Sequence, residues 1–379
     1  MFSNLTRDLA LYIHIPFCAA KCIYCDFLSF SGRESYFDAY FNQLNNEIRN
    51  NGALYGDAAV RSVFIGGGTP SYAGAKRIAE MIDNIFRHFN VASDAEFTVE
   101  MNPGTVSESD FHIYKASGVN RISFGVQSLD NNLLRFLGRI HTREDFLSAF
   151  ENARRVGFNN INTDIIFGIP GQTVSQFKDT LNEIISLSPE HISAYSLIIE
   201  PETRLDYLIE KGEVEYPSDE DDRKMYTVCR KMLAQSGYNM YEISNFAKPG
   251  CECIHNIRYW VCGNYLGMGL GAASLIDGRR FSNTNDFHAY TDGVNEISED
   301  IILTKKERMD EFMMLGFRMM TGPSKNGFKS LFGRDYKDVY RDVLSDLSEK
   351  ELISENPGIN YCLTEKGLDF ANEVFREFV

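Results

Sequence analysis

Near its start the chain reads Leu9-Ala-Leu-Tyr-Ile-His-Ile15-Pro-Phe-Cys18-Ala-Ala-Lys-Cys22-Ile-Tyr-Cys25-Asp-Phe27. Residues 9–15 are an apolar run of strand length that stops at Pro16, and they predict a β-strand. Directly after it, Cys18, Cys22 and Cys25 stand in the spacing C-x3-C-x2-C. That is the spacing by which three thiolates hold a [4Fe–4S] cluster. Four thiolates are the usual complement. Three leave one iron without a protein ligand, and an open iron can bind a small molecule. A zinc site normally pairs C-x2–4-C with a second such pair or with histidines, and no partner pair stands in an obvious place. Disulfides are disfavoured without a secretory signal.

Outward from this stretch, strands and helices alternate. Strands are expected over 9–15, 62–65, 96–101, 121–125, 160–166 and 191–197. Helices are expected over 36–50, 76–89, 108–117, 145–156 and 177–186. In the first helix Phe37, Tyr40, Phe41, Leu44 and Ile48 recur at helical spacing. Six β/α units imply a parallel sheet with crossover helices. They are too few for a closed eight-stranded barrel, so the expected fold is α/β, a partial (β/α)6 barrel open on one side. After residue 215 a helix over 219–235 follows the acidic turn Asp219-Glu-Asp-Asp222, which suits the helix dipole. Strands over 238–243 and 271–276 are expected to extend the sheet. The last part predicts helices over 306–320 and 336–348, strands over 352–354 and 359–363, and a helix over 365–378. That order resembles a winged helix. The expected domains are 1–215, 216–300 and 301–379.

Composition narrows the classes. The 379 residues are 44% hydrophobic, enough for a sizeable core. No apolar run reaches the length of a membrane span, and residues 1–8 lack a secretory stretch. The cysteine usage points to a reducing cytoplasm. A net charge of −15 sets the molecule as a whole against nucleic acid and anionic lipid. In the last segment acids and bases nearly balance, which argues against DNA binding and for a packing or lid role.

In a parallel β/α sheet, ligands collect at the carboxyl ends of the strands. Tyr12 lies in the first strand, and Gly66-Gly67-Gly68-Thr69-Pro70 follows the second. Glycines there let backbone approach a ligand closely; a plain tight turn is the alternative. Glu100 ends the third strand, Gln127 follows the fourth, Arg139 sits in Leu137-Gly-Arg139, and Asp164 lies in the fifth strand. Together they offer acids, an amide and a guanidinium around one rim. A charged nucleoside such as S-adenosylmethionine needs that mixture of acceptors and donors.

The cysteine motif and this rim resemble the radical S-adenosylmethionine superfamily. From about residue 9 onward the chain is similar to the oxygen-independent coproporphyrinogen III oxidase family, and within it to the HemW-like heme chaperones. The shared elements are Tyr12-Ile-His-Ile-Pro-Phe-Cys18, Cys22, Cys25-Asp-Phe27, Gly66-Gly-Gly-Thr-Pro70, Glu100, Gly125-Val-Gln127, Leu137-Gly-Arg139 and Asp164. The resemblance implies a [4Fe–4S] cluster on Cys18, Cys22 and Cys25. It implies one S-adenosylmethionine at Tyr12, Gly67 and Glu100. Tyr24, Gly68, Thr69, Gln127, Arg139 and Asp164 match the site of a second such molecule in the oxidases. Oxidases also carry a further cysteine where this chain has Phe27, and an extension before the first strand. Both departures weaken the expectation of porphyrinogen decarboxylation. His255-Asn-Ile-Arg-Tyr259-Trp260 matches the HNxxYW signature of the chaperones. His255 is then a candidate axial heme ligand, with Tyr259 and Trp260 stacking on the porphyrin; a structural turn is the alternative. Cys251, Cys253 and Cys262 flank this segment and meet no standard metal spacing.

The resemblance implies that the reduced cluster passes one electron to the sulfonium of S-adenosylmethionine. The leading expectation is a heme chaperone that hands bound heme to acceptor proteins, with an electron donor for the cluster and transient visits to the membrane. The alternative is an oxygen-independent coproporphyrinogen III oxidase. Whether the chain is an enzyme stays open at this point.

Overall fold

A computed structural model describes residues 8–216, 218–294, 296–356 and 360–379. Six strand and helix units open the chain. They are β1 (Asp8–Ile15), α1 (Phe37–Tyr55), β2 (Ala59–Gly67), α2 (Ala75–His88), β3 (Asn90–Met101) and α3 (Glu108–Ala116). Then come β4 (Arg121–Gln127), α4 (Asn131–Phe136), α5 (Arg143–Val156), β5 (Ile161–Phe167), α6 (Val174–Leu187) and β6 (His191–Ser196). Ser107, Thr142 and Thr173 each close a reciprocal capping box at the start of α3, α5 and α6. These caps explain why the helices begin where the apolar periodicity does.

The sheet then grows at both edges. Helices α7 (Arg204–Glu210) and α8 (Asp219–Gln235) lead into β7 (Asn239–Glu242) and β8 (Asn245–Ala247). Next follow α9 (Ile254–Trp260), β9 (Tyr265–Met268), β10 (Ala273–Ile276), β11 (Arg279–Asn283), α10 (Phe287–Thr291) and β12 (Ile297–Ile302). The strand order is β12-β11-β10-β9-β1-β2-β3-β4-β5-β6-β8-β7. From β9 to β6 neighbours are parallel. The additions beyond β9 and β6 are antiparallel. The expected α/β partial barrel is therefore present, with a seventh parallel strand, β9, that comes from far along the chain and pairs with β1.

The period-2 alternation of the strands separates two faces. Leu11, Ile13, Val63, Ile65, Phe97, Val99, Ile122 and Phe124 are buried in the main core with the apolar stripes of the helices. The other face is polar. Ser62, Glu96, Thr98, Arg121, Ser123, Asn162, His191 and Ser193 all lie on it and are buried. Register lines them up in rows: Glu100 opposite Ser123, Ser123 opposite Asn162, and Asn162 opposite His191. The segment behind β6 shares the main core through Met225, Cys229 and Leu233 of α8 and through Phe246 and Leu266.

The last part has its own apolar cluster, built on Phe312, Phe328, Tyr336, Leu344 and Phe378 among others. It contains α11 (Lys305–Gly316), α12 (Lys325–Phe332), α13 (Tyr336–Val339), α14 (Arg341–Glu349), β13 (Ile353–Glu355), β14 (Tyr361–Leu363), α15 (Glu365–Asp369) and α16 (Ala371–Arg376). Two expected helices are each split. The one over 336–348 breaks at Tyr340 and the one over 365–378 at Phe370, both of which leave helical geometry. The helix over 306–320 stops at Gly316, whose missing Cβ makes room for Pro323. The expected strand 238–243 is β7, which pairs with β8 as a hairpin. Helices α4, α7, α9, α10 and α12 and strands β8, β9, β11 and β12 were not expected. Ile359 of the expected strand 359–363, and residues 1–7, lie outside the described residues.

Candidate functional site

The carboxyl ends of β1 to β6 open into one cavity of about 450 Å³, within the roughly 300–1,000 Å³ usual for small-molecule sites. Cys18, Cys22, Tyr24, Cys25, Gly67, Gly68, Thr69, Glu100, Gln127, Arg139 and Asp164 all line it. Sequence reading had singled out each of them. They come from four strands, β2 to β5, and from the loops after β1, β2 and α4, which is what a shared rim requires.

The cysteine loop is pinned on both sides by backbone. The Cys18 N–H donates to Phe30 O at 2.9 Å, the Ile23 N–H to Leu137 O at 3.1 Å, and the Leu205 N–H to Ile23 O at 2.8 Å. The Gly68 and Thr69 N–H groups donate to Ile15 O at 2.9 Å and Phe17 O at 2.7 Å, tying the glycine loop to the same turn. A Cβ on Gly68 would stand 2.8 Å from Phe17 O and 3.0 Å from the Cys18 sulfur. The Thr69 hydroxyl reaches the Cys18 Sγ at 3.6 Å, and the Arg139 Nη1 reaches the Cys22 Sγ at 3.6 Å. All three thiols are free. Among the described residues no three ligating side chains converge as a single-ion site. Cys18, Cys22 and Cys25 edge the cavity, with donors aimed at two of the sulfurs, an arrangement that fits three thiolates of a cluster.

The acids sit deeper. Glu100 accepts from the Gly67 N–H at 3.1 Å. Gly67 has φ +110°, and a Cβ there would stand 2.5 Å from the His14 ring, so only glycine fits. Burial, and then the nearby Asp164, push the Glu100 carboxyl up to about 8, against the pull of the Gly67 N–H and Arg121. Burial raises the Tyr24 hydroxyl as well. Burial opposes the charge on Arg139, but Tyr24 and Cys22 beside it outweigh that and raise its pKa. Arg139 also donates to Gly125 O at 2.5 Å. Gln127 is held at φ +65°, an unfavourable backbone for a residue with a side chain and one that recurs at ligand sites.

Tyr12 is not on the cavity wall. Its hydroxyl donates to His14 Nδ1 at 3.0 Å, and His14 Nε2 donates to Leu28 O at 2.8 Å beyond the cysteines. His255, Tyr259 and Trp260 lie apart from the cavity, on α9, against the early part of β2. The His255 ring is 1% exposed. Its Nδ1 pairs with the Ser62 hydroxyl at 3.0 Å and its Nε2 with the Tyr259 hydroxyl at 2.9 Å. Burial, then Arg258 and Arg121, lower its pKa to about 3. The ring stacks on Phe64 at 5.1 Å. Trp260 is covered by the Arg318 guanidinium at 4.3 Å. The start of α9 is capped by Glu96, which accepts from the Ile254 and His255 N–H groups at 3.0 Å each.

Sequence reading passed over Ser123, which lines the cavity, and Asn162, His191, Tyr241, Glu96 and Arg121, the polar residues beneath it. It also passed over Tyr195 and Ile198, which line the cavity and are 40% and 66% exposed, as Phe27 is 59% exposed.

The fold and the cysteine-edged cavity define a radical S-adenosylmethionine protein. The model of the Radical SAM superfamily matches residues 12–184, and that of the HemN C-terminal domain matches residues 303–370. The chain is 40% identical to Heme chaperone HemW of Bacillus subtilis (strain 168), over 97% of this chain and 98% of that one. It is 35% identical to Heme chaperone HemW of Escherichia coli (strain K12), over 98% of each. The chain therefore belongs to the HemW family of radical S-adenosylmethionine proteins. Among solved structures, coproporphyrinogen III oxidase (HemN) from Escherichia coli superposes with a TM-score of 0.85 at 24% identity, over 99% of this chain and 90% of that one; this likeness is one of fold. Membership of the superfamily implies a [4Fe–4S] cluster and S-adenosylmethionine.

Proposed function

We propose that this protein is a heme chaperone: it binds heme and passes it to heme-accepting proteins. The observation that carries this reading is the near-full-length identity to relatives of that name. Cys18, Cys22 and Cys25 would hold the cluster, which when bound supplies one-electron reduction of S-adenosylmethionine. Glu100 and Asp164 supply acceptors for the nucleoside's hydroxyls and ammonium, and Arg139 supplies donors for its carboxylate. The cavity's volume supports one such molecule; a second, at the residues that match the oxidases' second site, is a further proposal. An electron donor, the acceptor proteins, contact with a membrane and a reducing cytoplasm complete the reading. Among the described residues no helix is long and apolar enough to cross a membrane. Residues 301–379, with their separate apolar cluster, would act as a packing or lid domain beside the units 1–215 and 216–300.

The heme site proposed from sequence is His255 with Tyr259 and Trp260. Ligation by His255 requires its ring to leave Ser62 and Tyr259. The exposed apolar rim of Phe27 and Ile198 is the other surface able to meet a porphyrin face. The test is an anaerobic heme titration into reconstituted wild type and His255→Ala, followed by absorption spectroscopy, with a parallel coproporphyrinogen assay. Stoichiometric binding without porphyrinogen turnover supports the chaperone. Binding lost in the variant assigns the ligand to His255; binding kept assigns it elsewhere. Decarboxylation without heme binding would sink the reading in favour of an oxidase, to which the fold likeness alone now points.

A further inference from the structure

A hydrogen-bond relay runs from the cap of α9 to the cavity, and its direction is fixed by chemistry. The Cys253 N–H donates to the Tyr241 hydroxyl at 3.3 Å. That hydroxyl meets His191 Nε2 at 2.9 Å, and His191 Nδ1 meets the Asn162 Oδ1 at 2.6 Å. An amide oxygen only accepts, so His191 Nδ1 carries the proton. The neutral ring then accepts at Nε2 from the Tyr241 O–H. The Ser193 hydroxyl donates to the same Asn162 oxygen at 3.2 Å. The Asn162 amide must therefore turn its NH2 forward, where it donates to Asp164 Oδ1 at 2.8 Å and to the Ser123 hydroxyl at 2.8 Å. Ser123 donates in turn to Asp164 Oδ2 at 3.0 Å. Every donor points the same way, and both oxygens of Asp164 are gripped from below. Their remaining lone pairs face the cavity that Asp164 lines.

His191 is fully buried, Asn162 is 2% exposed and Ser123 3%. Burial, and then the Arg121 charge, keep the imidazole neutral by lowering its pKa. A neutral histidine with both nitrogens engaged is a tautomer lock. If Nδ1 lost its proton to Nε2, two acceptors would face each other at His191 and Asn162. The amide would turn over, and Asp164 would lose its donor.

We propose that His191 is a positioning residue for the nucleoside site, acting through Asn162 to hold the Asp164 carboxylate in the orientation that accepts the hydroxyls of S-adenosylmethionine. It touches neither nucleoside nor cluster. The inference rests on the proposed role of Asp164.

The test uses the full-length, anaerobically reconstituted protein and measures two quantities: iron per chain, and the dissociation constant of S-adenosylmethionine from its perturbation of the reduced cluster's electron paramagnetic resonance signal. Asp164→Asn, His191→Ala, the double variant and His191→Asn are compared. His191→Ala is expected to weaken S-adenosylmethionine by about tenfold with iron content unchanged, the loss of one charge-assisted hydrogen bond's worth of orientation. The double variant is expected to be no weaker than Asp164→Asn alone. His191→Asn, whose amide NH2 can replace the Nδ1–H, is expected to recover most of the affinity. If Asp164→Asn weakens binding but His191→Ala does not, or if the two effects add, the relay is refuted and the cavity assignment stands. If Asp164→Asn leaves affinity unchanged, Asp164 does not hold the nucleoside that the cluster reports, and both its assigned role and the relay's fail. Should His191→Ala not fold, Tyr241→Phe removes the hydroxyl that donates to His191 Nε2 and frees that nitrogen to take the proton, while also taking the acceptor from the Cys253 N–H. An unchanged dissociation constant in that variant also refutes the proposal, and a weakened one supports it.

Discussion

Glu100→Gln is expected to stabilise the protein at neutral pH and to leave it unchanged near pH 4.5. The Glu100 carboxyl is pushed from 4.5 up to about 8 by burial and by Asp164. A folded-state pKa above the unfolded value contributes stability that is fully present below pH 4.5 and lost as pH rises through about 8. Below that window both states carry the proton. Within it the unfolded chain ionises first and is favoured. Each unit of difference is about 1.4 kcal/mol, so by pH 7 the acid withholds about 3 kcal/mol from the folded state. Glu100 forms part of an open cavity wall, and water there screens some of that, leaving about 1–3 kcal/mol. Glutamine keeps an oxygen for the Gly67 N–H that Glu100 accepts at 3.1 Å, so the substitution removes the charge and little else. Urea unfolding of the cluster-free wild type and variant at pH 5 and pH 7.5 reads the effect directly. The variant's advantage should grow between the two pH values. An advantage of the same size at both would refute the reasoning, because it would show that ionisation of this group is not what separates the two proteins. The same variant is expected to bind S-adenosylmethionine more weakly, a stability gain made at the expense of the site.

Three other perturbations have defined outcomes. Glu96→Ala leaves the Ile254 and His255 N–H groups without their acceptor and takes from the buried Arg121 one of the acids that balance it, Asp164 remaining; a loss of about 3–5 kcal/mol is expected in a denaturant midpoint. Gly68→Ala sets a methyl 3.0 Å from the Cys18 sulfur and 2.8 Å from Phe17 O; iron per chain after anaerobic reconstitution is expected to fall well below wild type. Glu47→Gln keeps an oxygen for the Gly269 N–H and the Tyr290 hydroxyl, which share Oε2 at 3.0 and 2.6 Å, but sets its NH2 against the Asn283 NH2 that Oε1 accepts at 2.6 Å; about 1–3 kcal/mol of stability should be lost, read by urea unfolding.

The rim of the cavity was legible because it is punctuated. Cys18, Cys22 and Cys25, the glycines at 66–68 and the acids at strand ends are residues that break an apolar pattern where a parallel strand finishes. The polar layer beneath it was not, although it left a trace. Strands of a parallel sheet covered on both faces read as continuous apolar runs. Here Ser62, then Glu96 and Thr98, Arg121 and Ser123, Asn162, and His191 and Ser193 interrupt those runs at every second position. Only one face of each strand is therefore packed on helices, and the other lines an interior. Which polar groups pair across that interior is set by register between strands roughly 30 residues apart, such as Asn162 opposite His191, and single-chain periodicity carries no register. Strand β9 was missed for a related reason: four residues, Tyr265–Met268, become a strand only because β1 offers an open parallel edge. The helices broken at Tyr340 and Phe370 have unbroken helical periodicity, and tertiary packing decides the break.

The position of α9 constrains how heme could be held. Released from its pocket, the His255 ring gives up bonds to Ser62 and Tyr259, and the helix start gives up two N–H bonds to the Glu96 carboxylate. At about 1 kcal/mol for each neutral bond and about 2 for each charged one, the release costs about 6 kcal/mol. That lowers the apparent affinity of any iron bound through His255 by roughly four orders of magnitude relative to a free imidazole. A site of this kind would hold heme weakly enough to give it up, and its strength would depend on the cap. Glu96→Ala, which removes the larger part of the cost, is therefore expected to tighten heme binding if His255 is the ligand. At a Phe27–Ile198 rim the same substitution should change nothing, because Glu96 caps a helix away from that surface. The two sites are thus separated by a residue that touches neither heme face, and the sign of one affinity change chooses between them.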